Sequence, residues 1–211
     1  MSEATIRSQV YRILGAWLSH PASEVWADAL VDGSFSSMHP GGKLLPYALD
    51  LKEYPFQSGM RFEELVQVYS SSFEIGNAAV SFHERTYTRD AASKLFEELF
   101  RFYEHFGLDL KNSDNAHWPD SILVELDFMQ YLTHLESIAV SEDDVQSLRL
   151  GQRDFLKRHL IPLTVGVSEK LNAMDIKPYD QLSRLIKHYV GLDRDHLSPL
   201  LEGLIGSVNV E

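Results

Sequence analysis

The stretch PDSILVELDFMQYLTHLE, residues 119–136, is the clearest guide to the fold class of this chain. At about 100° of rotation per residue in an α-helix, its apolar side chains cover most of the circumference and leave a narrow polar arc. Pro119 suits a first helical turn, and Asp120 favours the positive end of the helix dipole. A helix that is apolar on most sides is buried on most sides, so we predict that this segment is the central helix of a bundle.

The same 3.6-residue period of apolar side chains runs through most of the chain. It predicts a single globular all-α bundle of seven to nine helices, because no alternating run is long enough to build a sheet. The predicted helices cover about residues 4–19, 23–30, 44–52, 62–75, 92–106, 119–136 and 141–159, with further segments opening at Pro162 and Pro178. Residues 1–211 are assigned to one domain, and residues 194–211 are a weakly patterned tail.

Two helix starts carry recognisable capping residues. Thr88 or Asp90 is predicted to cap the helix over 92–106. Ser141 and Asp144 resemble a capping box for the helix that follows them.

The composition excludes several classes of site. The chain has no cysteine, which removes disulfides, thiolate zinc sites, iron–sulfur ligation and a cysteine nucleophile. The first residues lack the basic and apolar regions of a signal peptide, and no run approaches the ~18 apolar residues of a membrane span. We therefore expect a cytoplasmic protein without stable membrane association.

Negative charge is concentrated in the middle of the chain. The formal net charge is −12, which argues against nucleic acid as a partner. Residues 60–144 contain 17 acidic and 6 basic side chains, so they hold nearly all of the excess. Two interpretations stay open: a solvated acidic surface, or a field that attracts a cationic partner.

The motifs of common enzyme and metal sites are missing. None of the helical histidines has a glutamate three residues before it, as a di-metal carboxylate site requires. No His-Glu-x-x-His, phosphate-binding glycine loop or Gly-x-Ser-x-Gly elbow is found. We expect no metal and no other cofactor.

Residues 81–90, SFHERTYTRD, place a base, a carboxylate and a guanidinium side by side at His83, Glu84 and Arg85. One hypothesis is a small α-helical enzyme that uses His83 and Glu84 in acid–base catalysis. Neighbouring side chains in an extended loop point in different directions, however, and rarely converge on one substrate atom. The other hypothesis is an ordered loop between two core helices, which Glu84 or Arg85 anchors near the helix at 119–136.

Glu125 lies inside the apolar arc of the predicted central helix. A carboxylate buried alone costs several kcal/mol, so Glu125 should be paired or hydrogen-bonded. We consider Arg85 a candidate partner for a structural Glu125. The functional alternative is that Glu125 contacts a bound basic peptide.

Two of these stretches resemble a known family. PDSILVELDFMQYL is similar to the Pro-Asp-His-Leu…Glu-Leu-x-Phe-Met segment of the TorD/DmsD/NarJ family, which are chaperones of molybdenum-containing reductases and dehydrogenases. A second stretch, VYSSSFEIGNAAVSFHERTY, resembles that family's Tyr-x-x-Leu-Phe…Gly…Glu segment. Its HERTY motif is similar to the branch that serves type II dimethylsulfoxide-reductase-like enzymes. FLKRHLIPL and PYDQLSRLIKHYV resemble later elements, so the resemblance covers roughly residues 5–192.

The sequence departs from the family pattern at three places. Ser121 stands where the family often has His, Leu163 where it often has Trp, and Ser71-Ser72 replaces a bulkier pair. These departures are typical of a divergent branch, and they leave open any role that depends on the His.

The resemblance implies an all-helical, TorD-like fold without catalytic activity. It implies a cytoplasmic chaperone that binds the N-terminal, often twin-arginine, leader and the apo form of a molybdoenzyme catalytic subunit. Such a chaperone assists cofactor insertion and assembly before export. We expect a monomer, with a dimer as the alternative. A structural subunit of the mature complex is the remaining alternative function.

The predicted peptide-binding residues come from the two matching stretches. They are Tyr69, His83, Glu84, Arg85, Tyr87, Trp118, Pro119, Asp120, Glu125 and Met129. Pro119 and Asp120 would shape the loop and the helix cap. Glu84, Asp120 or Glu125 would meet cationic groups of the peptide. For Tyr69, packing in the core is the favoured alternative to peptide contact.

Overall fold

The computed structural model describes residues 2–21, 45–49, 59–74, 78–109 and 118–205. In these ranges the chain forms seven α-helices: α1 (Glu3–Leu18), α2 (Phe62–Tyr69), α3 (Ala92–His105), α4 (Ile122–Ile138), α5 (Glu142–Phe155), α6 (Ile161–Met174) and α7 (Tyr179–Ile205). A π-helical turn extends α2 over Ser70–Glu74, and a second one, Leu156–Leu160, joins α5 to α6. Since α5 and α6 are continuous, the described residues contain six separate helical rods, slightly fewer than the predicted seven to nine.

The all-α prediction is confirmed. The described residues contain no strand, only an isolated antiparallel bridge between His83 and Ser121. None of the described helices is long and apolar enough to cross a membrane. The predicted helix over 23–30 and most of the one over 44–52 fall outside the described residues, and residues 45–49 are not helical.

The helix α4 is the central helix of the bundle, as the apolar pattern predicts. Ile122, Leu126, Phe128, Met129 and Leu132 are all buried, and α1 packs along this helix. The helix starts at Ile122, so Pro119 and Asp120 precede it and do not form its first turn as predicted. The reason lies in the backbone, because the amide of Ile122 donates 2.9 Å to the carbonyl of Phe82 outside the helix.

One of the two predicted caps is present. The Ser141 hydroxyl accepts a hydrogen bond from the amide of Asp144 at 3.0 Å, at the start of α5. The prediction for α3 is wrong, since Ala91 is its N-cap and makes no side-chain cap. Thr88 and Asp90 are engaged elsewhere: the Thr88 hydroxyl accepts from the Asp90 amide, and the Asp90 carboxylate pairs with Lys94 at 3.1 Å.

A buried arginine joins the two ends of the described chain. Arg7 of α1 donates from Nε to Asp193 of α7 at 2.6 Å and from a terminal nitrogen to Glu136 of α4 at 2.9 Å. It also donates to Gln152 of α5 at 2.5 Å, so four helices share one cation. The helix α7 continues to Ile205, past the point after Asp193 at which the apolar pattern of the sequence weakens.

Candidate functional site

Residues 81–90, the HERTY loop below, dock on the start of α4. The amide of Glu84 donates to the carbonyl of Asp120 at 2.9 Å, and the amide of Ile122 donates to the carbonyl of Phe82 at 2.9 Å. These two bonds form the bridge between His83 and Ser121. The prediction of an ordered loop anchored near this helix is confirmed.

The Asp120 carboxylate contacts two neighbouring residues of the HERTY loop, His83 and Arg85. It is buried, with one oxygen 3.2 Å from His83 Nδ1 and the other 3.2 Å from the amide and 3.3 Å from Nε of Arg85. Burial opposes ionisation of this carboxyl, but the hydrogen bonds from His83 and Arg85 outweigh it and hold the pKa of Asp120 below its usual range. Asp120 is therefore an ionised anchor for two neighbouring loop residues.

The other side of the HERTY loop rests on α6. The hydroxyl of Tyr87 donates to the carbonyl of Ser81 at 2.7 Å and closes the loop on itself. Its ring packs on Gly166, where an added Cβ would lie 2.3 Å from the ring. Only a residue without a side chain leaves room for Tyr87 at this position.

Glu84 points away from its neighbours and into the protein. Its buried carboxylate lies 3.1 Å from Nδ1 of His159, which belongs to the π-helical turn Leu156–Leu160. The other ring nitrogen of His159 lies 3.4 Å from Glu98 of α3. Since His83 faces Asp120 and Glu84 faces His159, the two side chains do not converge, and the acid–base hypothesis for this pair loses its geometric basis.

Glu125 lacks the partner that we expected. Arg85 pairs with Asp120, not with Glu125, and neither carboxyl oxygen of Glu125 has a hydrogen-bond partner of good geometry in the described residues. The side chain is fully buried. Desolvation, reinforced by the negative charge of Glu84, raises the pKa of Glu125 well above its usual range. Burial therefore favours the uncharged form of Glu125, which costs less to bury than the carboxylate.

The exposed part of the site is aromatic and basic. Trp118 is 54% exposed, and the guanidinium carbon of Arg85 lies 4.5 Å from its ring centroid and 5.3 Å from that of Phe96. About a third of the His83 side chain and slightly less of the Arg85 side chain are exposed. We call His83, Arg85 and Trp118 the loop–helix surface.

Several of the other predicted site residues are buried. Glu84, Asp120 and Glu125 are all buried, so none of them is exposed to meet a cationic peptide group in this structure. Pro119 is also buried, and its carbonyl accepts from the Tyr103 hydroxyl at 2.7 Å.

Two more predicted residues belong to the core. Met129 is fully buried. Tyr69 packs edge-on against Phe73 and Tyr179, with ring centroids 5.0 and 5.7 Å away, as its core-packing alternative requires.

Sequence reasoning missed several residues that shape the site. They are Phe96, Glu98, His159 and Gly166. Phe96 lies in the apolar stripe of α3, which gave it only a packing role. His159 and Gly166 lie far from the HERTY loop in sequence, and no local pattern connects them to it. Among the described residues, no group of three or more acidic or histidine side chains is arranged to hold a metal ion.

Comparison with known proteins gives a consistent result. A family model described as "Nitrate reductase delta subunit" matches residues 49–164, more than half of the chain and including the HERTY loop and α4. The dimethyl sulfide dehydrogenase assembly chaperone protein of Rhodovulum sulfidophilum is 29% identical over 95% of this chain and 83% of its own length.

Two further relatives carry names of the same kind. The selenate reductase assembly chaperone protein of Thauera selenatis is 33% identical over 64% of this chain and 71% of its own length. The perchlorate reductase assembly chaperone protein of Dechloromonas aromatica (strain RCB) is 27% identical over 82% of this chain and 81% of its own length. The chain thus belongs to the nitrate reductase delta subunit family, and it is an assembly chaperone and not an enzyme.

Proposed function

We propose that the chain is the dedicated maturation chaperone of one molybdenum-containing enzyme. It binds the N-terminal leader and the apo form of the catalytic subunit, assists cofactor insertion and assembly, and releases the subunit for export from the cytoplasm. The resemblance to the TorD/DmsD/NarJ family supports a molybdenum-containing client. Each of the three relatives is named for a different enzyme, which supports dedication to one client.

The observation that carries the proposal is the loop–helix surface. More than half of the Trp118 side chain is exposed, so a large aromatic ring is available to contact a bound chain. Here Trp118 stands beside a loop that Asp120, His159 and Gly166 hold from three sides. Because this surface is already ordered, binding of a flexible peptide does not cost the entropy of ordering the loop. It also lies inside residues 49–164, which the family shares.

The acidic middle of the chain supports attraction of a cationic leader. Glu63, Glu64 and Glu74 are exposed carboxylates on α2 and its π-helical extension. A net negative field of this kind raises the rate at which a positively charged peptide arrives and makes that rate sensitive to salt. On this proposal the field steers the leader, while the buried carboxylates of the site hold the protein surface in shape.

Two experiments in sequence test the proposal. The tagged chain is first captured from cells grown without molybdenum, and the enzyme that copurifies is identified by mass spectrometry. Calorimetry then measures binding of that enzyme's leader peptide at low and high salt, with a control peptide in which both leader arginines are replaced. We expect binding that weakens with salt and with the replacement. No heat of binding at low salt would contradict the leader proposal, and fixed stoichiometry with the mature complex would favour a structural subunit.

A further inference from the structure

Arg85 of the loop–helix surface has hydrogen-bond donors that no described residue accepts. Arg85 directs Nε towards Asp120 at 3.3 Å, but its two terminal nitrogens make no hydrogen bond to any residue of the described ranges. A guanidinium has five donors in a fixed plane and stays charged at all ordinary pH values. Arg85 is held in place from inside by Asp120 and keeps most of its donors available outside.

The indole of Trp118 lies against this cation. The guanidinium carbon lies 4.5 Å from the Trp118 ring centroid, at cation–π distance, and Phe96 lies on the same cation at 5.3 Å. Two aromatic contacts and one buried carboxylate thus hold the cation, so little side-chain entropy is lost when an acceptor binds it. More than half of Trp118 is exposed beside it, ready to contact an apolar group.

The surrounding charges make this surface an exception on an acidic protein. Asp120 is buried and already shared between His83 and Arg85. The nearest exposed carboxylate along the HERTY loop, Asp90, is paired with Lys94. Among the described residues of this surface, the groups that face outward are therefore a guanidinium, an imidazole and an indole.

We propose that the loop–helix surface binds an acidic side chain of the client polypeptide, together with an apolar side chain next to it. The carboxylate accepts from the terminal nitrogens of Arg85 and the apolar side chain lies on Trp118, because guanidinium groups bind carboxylates in a planar, two-pronged geometry. This inference rests on the proposed chaperone function and deepens it. It separates two recognition elements: leader arginines drawn by the exposed acidic surface, and an acidic–apolar segment read by Arg85 and Trp118.

Three short capped peptides test the proposal without knowledge of the client: Ac-Phe-Glu-Leu-amide, Ac-Phe-Gln-Leu-amide and Ac-Phe-Lys-Leu-amide. Each is titrated into the full chain labelled with ¹⁵N, and the Trp118 indole N–H signal is followed by NMR. A Trp118→Phe variant assigns that signal. We expect saturable shifts with the Glu peptide, binding at least about threefold weaker with the Gln peptide, and none with the Lys peptide, in line with the size of exposed ion-pair contacts.

Two variants place the preference on Arg85. Arg85→Gln should abolish the difference between the Glu and Gln peptides, whereas Arg101→Gln, which removes an exposed arginine paired with Glu97, should keep it. A second variant, Trp118→Leu, is informative even if Arg85→Gln loosens the loop, because it keeps the cation. It should bind all three peptides more weakly but retain the preference for the Glu peptide. Binding to this variant is followed by the NMR signal of the Arg85 amide. Equal binding of the Glu and Gln peptides, or preferred binding of the Lys peptide, would overturn the proposal. Neither result would contradict binding of the leader, which calorimetry tests separately. Conversely, failure to find a copurifying client would contradict the proposed function and not the preference for the Glu peptide.

Discussion

Asp120 holds Arg85 at two points, because one carboxylate oxygen lies 3.2 Å from its backbone nitrogen and 3.3 Å from its Nε. The first contact fixes the loop backbone and the second fixes the direction of the side chain. A buried carboxylate thus holds the cation that lies at the surface. The other oxygen of the Asp120 carboxylate lies 3.2 Å from Nδ1 of His83. The loop–helix surface therefore depends on one buried charge.

Replacing Asp120 should therefore loosen the surface more than it disturbs the core. We expect Asp120→Asn to lower the free energy of unfolding by about 1–3 kcal/mol, the usual cost of weakening a buried charge-assisted hydrogen bond. Urea unfolding measures it. The control Asp90→Asn removes an exposed carboxylate paired with Lys94 and should change the free energy by less than about 1 kcal/mol. Equal effects of the two changes would contradict the anchoring role.

The lowered pKa of Asp120 predicts a pH dependence with a definite sign. A carboxyl whose pKa is lower in the folded state adds stability above its unfolded pKa, near 4, and loses that contribution as the pH falls through the folded pKa. We expect the stability difference between the wild type and Asp120→Asn to be full at pH 5–7 and to shrink below about pH 4. Urea unfolding from pH 3 to 7 checks it; a difference that does not change with pH would count against an ionised Asp120.

Glu125 predicts the opposite pH dependence. Its pKa is raised by burial and by the charge of Glu84, so the folded state binds its proton more tightly than the unfolded state does. Its contribution therefore becomes less favourable as the pH rises above the unfolded pKa, by up to about 1.4 kcal/mol per pH unit.

Glu125→Gln tests this sign directly. The variant keeps the shape of the neutral side chain and cannot ionise, so we expect it to gain stability relative to the wild type between pH 5 and 8. Urea unfolding at pH 5, 6, 7 and 8 measures the gap, with the exposed Glu63→Gln as control. A gap that narrows with rising pH would mean that the ionised form of Glu125 is the stabilised one.

Gly166 and Gly191 form a matched pair for testing the support of the HERTY loop. A methyl group at Gly166 would lie 2.3 Å from the ring of Tyr87, whereas a methyl group at Gly191 meets nothing within 4 Å. We expect Gly166→Ala to destabilise the protein by about 1–3 kcal/mol through overpacking. Gly191→Ala should be neutral or stabilising by up to about 1 kcal/mol, since alanine favours a helix.

Hydrogen exchange shows where the Gly166→Ala strain is released. The amide of Glu84, which donates to the Asp120 carbonyl, should exchange faster in Gly166→Ala than in the wild type, while core amides of α4 change less. Adding Tyr87→Ala should cost less in the Gly166→Ala background than in the wild type, because it also removes the clash with the new methyl group. Additive effects would show that the two residues do not interact.

Removing Arg7 should be the most damaging of these changes. Arg7→Met leaves Asp193 buried without the cation that pairs with it, while Glu136 keeps its contact with Arg149. Breaking a buried pair in this way costs about 3–5 kcal/mol. Thermal or urea unfolding measures it against Arg101→Met, which removes an exposed pair with Glu97 and should cost at most about 1 kcal/mol. If the two arginines cost the same, the four-helix contact does not stabilise the bundle.

The sequence predicted those features that depend on neighbouring residues. The apolar period around Ile122–Ile138 identified the central helix, and the local Ser141 cap was found because donor and acceptor are three residues apart. Glu125 was correctly predicted to be buried, but its partner was not, because a helical pattern states which face is apolar and not what lies opposite.

Contacts between distant parts of the chain could not be found in this way. Arg7 and Asp193 are 186 residues apart, and Glu84 and His159 are 75 apart. The direction of the site carboxylates was missed for the same reason: acidic residues near a predicted peptide site suggest contact with a cation, yet the structure gives two of them internal partners and buries the third. Only the packing of α3, α4 and the π-helical turn decides which charges reach the surface.

The π-helical turn Leu156–Leu160 sets a condition on chain length. A π turn accommodates one residue more than the corresponding stretch of α-helix. Deleting a single residue there would restore a regular α-helix and leave the two flanking helices in phase, so the change falls on the residues of the turn itself. His159 belongs to this turn, so its position opposite Glu84 depends on the extra residue, although every side chain of the loop is kept. In this protein, the number of residues between α5 and α6 is therefore a requirement for the support of the loop–helix surface, beside the identity of the residues that form it.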